Sequence, residues 1–485
     1  MQRKITIDPV TRVEGHGKVT IKLDEHNHIQ QARLHIVEFR GFERFIQGRP
    51  YWEAPVLVQR LCGICPVSHH LAASKAMDVI VGAGSEGSPT VTSEKIRRLM
   101  HYGQFFQSHT LHFFHLVSPD LIFGVDAHYS KRNIVAVAME NPELAKQAVL
   151  MRKYGQEIIE LTAGKKVHGT GSIPGGVNKS ITPEQCKRFI EGDEGLPSID
   201  QIIDWSVGAL DFFKSYHKTH RELIDNFAHY HSNHLSLVND EGGLDIYHGN
   251  LRAVDAEGKR ILDDISYHHY TDYIAEEVKS WSYMKFPYLK HLGREKGWYR
   301  VGPMARMATI DHIPTPLAQK EYEIYNDYNG GRPHPNSMHM HWARLIETLH
   351  AAEMMKELLM DPDISGDNIQ SNGPKQPEGV GVIEAPRGTL FHHYQVDEDD
   401  LITMCNLIVS TTQNNTPMNE AVRWVAREVI DGHEEIPEGM LNQVEVAIRA
   451  YDPCLSCATH AMGKMPLHIQ LENAKGELLD EKIKN

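Results

Sequence analysis

Six cysteines in 485 residues are too few for a disulfide framework, which excludes the small scaffolds that depend on one. Long apolar runs are missing too. No stretch approaches the roughly 20 residues that span a bilayer, so insertion in a membrane is not expected. A basic excess is absent: 50 Lys and Arg stand against 64 Asp and Glu for a net charge of -14, which removes the footprint of a nucleic-acid partner. The opening residues, MQRKITIDPVTRVEGH, lack the charged, apolar and cleavage-site order of a secretory signal, and a cytoplasmic location is expected. There is no repeat, low-complexity segment or Pro/Ser/Gly-rich linker. A dinucleotide fingerprint is also lacking. GTGSIPGG at 169 to 176 follows an expected helix rather than a strand and does not have GxGxxG spacing.

What is present is the composition of a globular chain, 41% apolar and 24% charged. Residues 3 to 40 alternate with a period of two, as in KVTIKL and ARLHIVE, around the polar turn DEHNH, so a small sheet opens the chain. Helices come next. Glu94 to Val117 sets Ile96, Leu99, Gly103, Phe106, Thr110, Phe113 and Val117 on one face at steps of three and four. Asn141 as N-cap, Pro142 at the first helical position and Gly164 past the end bound another. Further helices are expected over about Asp200 to Leu237, about His341 to Met360 and the turns before Tyr451, with strands between, in GVGVIEAPRGTLFHHYQVDEDDLITMCNLIV. The expected class is α+β, mainly α: a large helical bundle with small peripheral sheets, residues 1–461 forming one interwoven unit.

Four of the cysteines form two CxxC pairs, Cys62 and Cys65 in RLCGICPVSHH and Cys454 and Cys457 in DPCLSCATH. Two intervening residues let both sulfurs of a pair turn toward one metal ion, and spacing alone favours a closed structural zinc site. Two observations weigh against zinc. The pairs lie near opposite ends of a chain large enough not to need a staple. Arg60, His69, Asp452 and His460 also stand within a few residues of a thiolate, as tuning and proton handling require. Cys186 and Cys405 lie alone in apolar-rich stretches and read as buried small hydrophobes.

RLCGICPVSH and DPCLSCATH resemble the two signatures of nickel-iron hydrogenase large subunits, RxCGxCxxxH and DPCxxCxxH. The resemblance continues in order through DPVTRVEGH at 8 to 16, RGFERFIQGRP at 40 to 50, SYMKFP at 282 to 287, VGPMARM at 301 to 307 and EAPRGTLFHHY at 384 to 394. It implies the fold of that family and reversible heterolytic cleavage of hydrogen at a nickel-iron centre whose iron carries carbon monoxide and cyanide. Cys62 and Cys454 correspond to terminal nickel ligands, and Cys65 and Cys457 to ligands bridging nickel and iron. Glu14 corresponds to the proton relay beside the terminal thiolate of Cys454. Arg387 corresponds to an arginine suspended over the metals, with Asp452 orienting it, and His69 to a hydrogen-bond partner of a bridging sulfur. Glu43 and His460 correspond to ligands of magnesium or a similar cation, with a carbonyl near Asn406 as a third.

Ser108, in QSHTLHFFHL, stands where membrane-bound relatives usually have Asp, so the contact made there is not carried over. His109, His112 and His115 recur every three residues on the same helix, but one helix face supplies no complete metal site. The similarity is strongest to the soluble subgroup of NAD-, NADP- and deazaflavin-reducing enzymes, and NAD is the favoured acceptor. A hydrogen-sensing regulatory member is the alternative; a quinone-reducing respiratory relative lacks the four cysteines. The two remaining cysteines cannot ligate an iron-sulfur cluster. The resemblance therefore implies an iron-sulfur small subunit, and beyond it flavin and iron-sulfur diaphorase subunits that hold the NAD. It also implies a maturation chaperone and an endopeptidase that removes residues 462–485 after nickel insertion. On this reading the mature chain ends at Ala461. Intact-mass measurement of the active protein checks this, and a full-length active chain would contradict it.

Overall fold

The computed structural model describes residues 3–83, 89–459, 467–472 and 478–484. It opens on the expected sheet, antiparallel strands β1 (Arg3–Ile7), β2 (Gly17–Leu23) and β3 (Ile29–Ile36) in that order. The DEHNH turn closes because Asp24 Oδ1 accepts the N–H groups of His26 and His28 at 2.8 and 2.9 Å.

Three long helices build the first part of the bundle. The first, α1 (Pro66–Ile80), starts directly behind the first cysteine pair, with Cys65 as its N-cap and Pro66 at the first position. The second, α2 (Val91–Leu111), begins three residues before the expected start, because Thr90 and Ser93 cap each other reciprocally. It continues as a π turn, His112–Val117, and the expected apolar face is buried throughout. The third, α3 (Pro142–Ala163), ends at Gly164 in the left-handed conformation, φ 81°. α2 and α3 approach closely where neither has a side chain: a Cβ on Gly155 would lie 2.7 Å from the Gly103 carbonyl oxygen.

The reading of 200 to 237 as helical requires correction. Helix α4 (Ile199–Thr219) is followed by the short α5 (Arg221–Asn226), and Asn233–Val238 is a strand, β4. Ala228, at φ 47°, turns the chain out of helix, and β4 gains its partners from distant segments. With β5 (Asn250–Val254), β6 (Arg260–Ile265) and β7 (Tyr299–Arg300) it forms a sheet of order β7-β4-β5-β6. Next comes the short α6 (Pro303–Thr309). The long α7 (His339–Met360) is buried on most sides and packs against α2 and α4.

The EAPR segment lies in an antiparallel meander of β8 (Glu378–Ala385), β9 (Gly388–Val396) and β10 (Ile402–Ile408). Helix α8 (Glu438–Arg449) precedes the second cysteine pair, and the last described strands, β11 (Leu467–Glu472) and β12 (Leu478–Lys484), pair antiparallel. Among the described residues no helix is long and apolar enough to cross a membrane.

β8 lies directly on α1. A Cβ on Gly379 would run into the Ala76 carbonyl, and one on Gly381 into the Ala72 carbonyl and, at 2.6 Å, the Ala76 nitrogen. The alternation in GVGV thus turns glycine toward the helix that begins at Cys65. A buried salt bridge fixes the other side of α1: Arg97 of α2 pairs with Asp78, and Asp78 Oδ1 also accepts the Gly175 N–H at 2.7 Å. Gly381→Ala is expected to destabilise the chain by about 1–3 kcal/mol by overpacking this contact. Chemical denaturation checks this, and an unchanged midpoint would mean that the helix yields freely.

Candidate metal centre

Distant segments converge on one buried point. Cys65 stands at the N-cap of α1, and the N–H groups of Ile64 and Cys65 donate to Cys62 Sγ at 3.2 and 3.1 Å. The second pair is held by the N-terminal segment: Glu14 and Cys454 form a parallel bridge, Leu455 N donates to the Glu14 carbonyl at 2.9 Å, and Cys454 N donates to Thr411 Oγ1 at 3.0 Å. All four cysteines are buried, with their sulfurs within 4.8 Å of one another. Cys62 and Cys454 Sγ are 3.2 Å apart, and Cys65 and Cys457 Sγ 3.7 Å. Cys454 and Cys457 are joined as a disulfide.

Burial opposes ionisation of both Cys62 and Cys65. At Cys62 the hydrogen bond from Cys65 and the Arg387 charge outweigh it and lower the pKa below that of an ordinary thiol. Cys65 is driven well above it, first by that hydrogen bond and then by burial.

Arg387 projects from the β8–β9 turn. Its Nε donates to the Asp452 carbonyl at 2.5 Å, Nη2 to Asp452 Oδ1 at 3.0 Å and Nη1 to Ser108 Oγ at 3.5 Å. Ser108 thus keeps a long neutral contact to the arginine. Burial works against the Arg387 charge, but Asp452 and then the thiols hold its pKa above that of an ordinary guanidinium. The group lines a small cavity with Cys65, His69, Cys454 and Cys457. Glu14 Oε2 lies 3.0 Å from Cys454 Sγ and accepts Ser456 N at 3.2 Å, while Ser456 Oγ holds the other carboxylate oxygen. His69 Nδ1 is 3.1 Å from His392 Nε2.

Glu43 sits elsewhere, buried, its Oε1 accepting Leu407 N at 2.9 Å beside the Asn406 peptide. His460 lies outside the described residues. Arg60 is not part of the cluster: it is exposed and bonds His168 Nδ1 at 2.9 Å. The three helix histidines do not converge; His109 pairs with Glu347 and His112 with the Arg449 carbonyl. Cys186 and Cys405 are both buried.

Sequence reasoning did not find the grip on the Arg387 turn. Arg306 of α6 donates to Glu347 of α7 at 2.5 and 2.6 Å, to Glu384 of β8 at 2.7 Å and to the carbonyls of Ala385 and Pro386 at 3.0 and 3.2 Å. Glu384 Oε1 in turn accepts Leu237 N at 2.9 Å and Thr389 Oγ1 at 2.7 Å. The signal was available, since Arg306 and Glu384 lie in the VGPMARM and EAPRGTL motifs. The roles of Thr411, Ser456 and His392 were likewise not legible.

A family model described as nickel-dependent hydrogenase matches residues 40–147 and 224–460, and one described as HoxL-like matches residues 4–39. The chain is 52% identical to the NAD-reducing hydrogenase HoxS subunit beta of Cupriavidus necator, covering all of both chains. It is similar to the crystal structure of an NAD+-reducing NiFe-hydrogenase in the H2-reduced state, with 48% identity and a TM-score of 0.89 over 94% of this chain and 99% of that one. The NiFeSe-hydrogenase of Desulfomicrobium baculatum shares the fold at 22% identity, with a TM-score of 0.74 over 95% of this chain and 100% of the other. Four buried sulfurs under a paired arginine, in a chain matched over its full length, make this protein a member of the nickel-iron hydrogenase large-subunit family.

Proposed function

We propose that this chain is the catalytic subunit of a hydrogenase that cleaves hydrogen heterolytically and reversibly and passes the electrons through a small subunit to NAD. The observation that carries this reading is the convergence of four buried sulfurs beside a small cavity that Arg387 lines, with the Glu14 carboxylate 3.0 Å from Cys454 Sγ. The donor set fits the metals: soft thiolates suit nickel and iron, and the metal-holding form has Cys454 and Cys457 reduced. Cys62 and Cys454 would be terminal ligands of nickel, with Cys65 and Cys457 bridging to iron. When bound, the nickel-iron centre, with carbon monoxide and cyanide on iron, polarises hydrogen and takes up its electrons.

The remaining work belongs to the chain. Glu14 Oε2, 3.0 Å from Cys454 Sγ, is placed to take the departing proton, and Ser456 aims that carboxylate. Arg387 presents a fixed positive fork to the cavity, and Asp452 holds it there. His69 tunes a bridging sulfur from the cavity wall. Glu43, His460 and the Asn406 carbonyl would hold magnesium or a similar cation.

Electrons must leave the chain, because the two cysteines left over are buried singly and cannot bind a cluster. The exit would be an iron-sulfur small subunit. Large apolar side chains exposed on the segment leading to Cys62, namely Phe39, Phe45, Trp52 and Val56, support such a docked partner. Flavin and NAD would sit on diaphorase subunits in the cytoplasm. NAD is favoured over NADP or deazaflavin by the 52% identity to a subunit of an NAD-reducing enzyme. Maturation would involve a chaperone and removal of residues 462–485, in keeping with the family match ending at 460.

The purified complex is expected to reduce NAD under hydrogen. Reduction of NADP or deazaflavin alone would overturn the acceptor, and binding without turnover would favour the sensor. Glu14→Gln is expected to keep nickel and iron but slow hydrogen–deuterium exchange with solvent by roughly 10²–10⁴-fold. Unchanged exchange would remove Glu14 from the proton path.

A further inference from the structure

A second group of side chains, apart from the four cysteines, has metal-ligand chemistry. His217 in the last turn of α4, Asp225 on α5 and His339 at the start of α7 each offer a ligand atom, all within 4.8 Å of one another. Only His220 separates α4 from α5, and that tight turn returns Asp225 beside His217. His217 Nε2 lies 2.8 Å from Asp225 Oδ1, and His339 Nε2 lies 3.3 Å from the same oxygen.

The hydrogen bonds within this cluster leave buried ring nitrogens unsatisfied. His339 is only 1% exposed, its Nδ1 has no hydrogen-bond partner, and its Nε2 meets Asp225 Oδ1 at 3.3 Å in poor hydrogen-bond alignment. A buried imidazole left so is costly unless something else uses its lone pair. The neighbouring His334, with its ring centroid 4.2 Å away, has a buried Nδ1 that is also unpartnered. Asp225 is already oriented: Tyr328 Oη and Arg221 Nε donate to its Oδ2 at 2.7 and 3.1 Å, leaving Oδ1 toward the two imidazoles. Metal-binding side chains are characteristically fixed by outer partners in this way. Bonds of about 2.0–2.1 Å to a tetrahedral ion put ligand atoms about 3.3 Å apart, close to the separations from Oδ1.

We propose that His217, Asp225 and His339 bind a divalent ion of the zinc class, separate from the sulfur centre, that staples the α4–α5 turn to the start of α7. Two imidazoles and a carboxylate suit zinc better than magnesium, which prefers oxygen. Three protein ligands leave a position for water. Asp225, 24% exposed, gives the ion a way in from solvent. The site takes no part in hydrogen cleavage.

The test uses the purified complex with its nickel and iron in place, dialysed against a weak chelator and titrated with zinc, then with cobalt(II) as an optical reporter. Wild type is expected to gain one zinc per chain, to unfold at a higher temperature with zinc, and to show visible cobalt bands without sulfur-to-cobalt charge transfer. Asp225→Asn and His339→Gln are expected to keep nickel and iron but to bind zinc more than roughly 100-fold more weakly, since even loss of an outer partner costs about 10–100-fold. Equal zinc uptake by wild type and variants would overturn the proposal and leave a metal-free ionic cluster. Should neither variant fold, the wild-type cobalt spectrum decides: absence of non-thiolate bands overturns the site.

Discussion

The pairing of Arg387 with Asp452 is the constraint on which the rest of the centre depends. A guanidinium cannot be kept charged among buried thiols without a carboxylate, and here the carboxylate stands two residues before Cys454. One ion pair therefore ties the β8–β9 turn to the segment that carries the second cysteine pair. Removing one partner of such a pair costs about 3–5 kcal/mol, whereas replacing both with apolar groups is often neutral. Stability alone does not call for this pair. Its effect is positional: it aims a fixed fork at the cavity that the sulfurs line.

Other buried groups hold that pair in place. Arg306 clamps the turn from behind through Glu347 and Glu384, linking α6, α7 and β8 in one fully buried network. The glycines of β8 let the meander lie against α1, which fixes Arg387 relative to Cys65. On the opposite side, the bridge between Glu14 and Cys454 joins residues 440 positions apart and sets a carboxylate on a sulfur. The N-terminal segment and the second cysteine motif are thus two halves of one wall.

Much of this architecture is legible in the sequence where the signals are local. The opening sheet, the capped helix after Asn141 and the glycine that ends it arise from turn and cap chemistry within a few residues. The paired cysteines, Glu14, Arg387 and Asp452 are found through motif resemblance, and the fold brings them to one cavity or its rim. What escapes is long-range. Strand β4 exists because distant β5 and β7 pair with it, and a helical reading of its own residues carries no sign of that. Arg306 and Glu347 stand 41 positions apart, and nothing local to either names the other. Arg60 misleads for the opposite reason: proximity in sequence to Cys62 does not turn its side chain inward.

The central claim is that Cys62, Cys65, Cys454 and Cys457 hold a nickel-iron centre. An infrared spectrum of the purified complex tests it most directly, because the iron ligands absorb where protein does not. The account predicts stretching bands of carbon monoxide and cyanide. Stoichiometric zinc on the four cysteines with no such bands would contradict it.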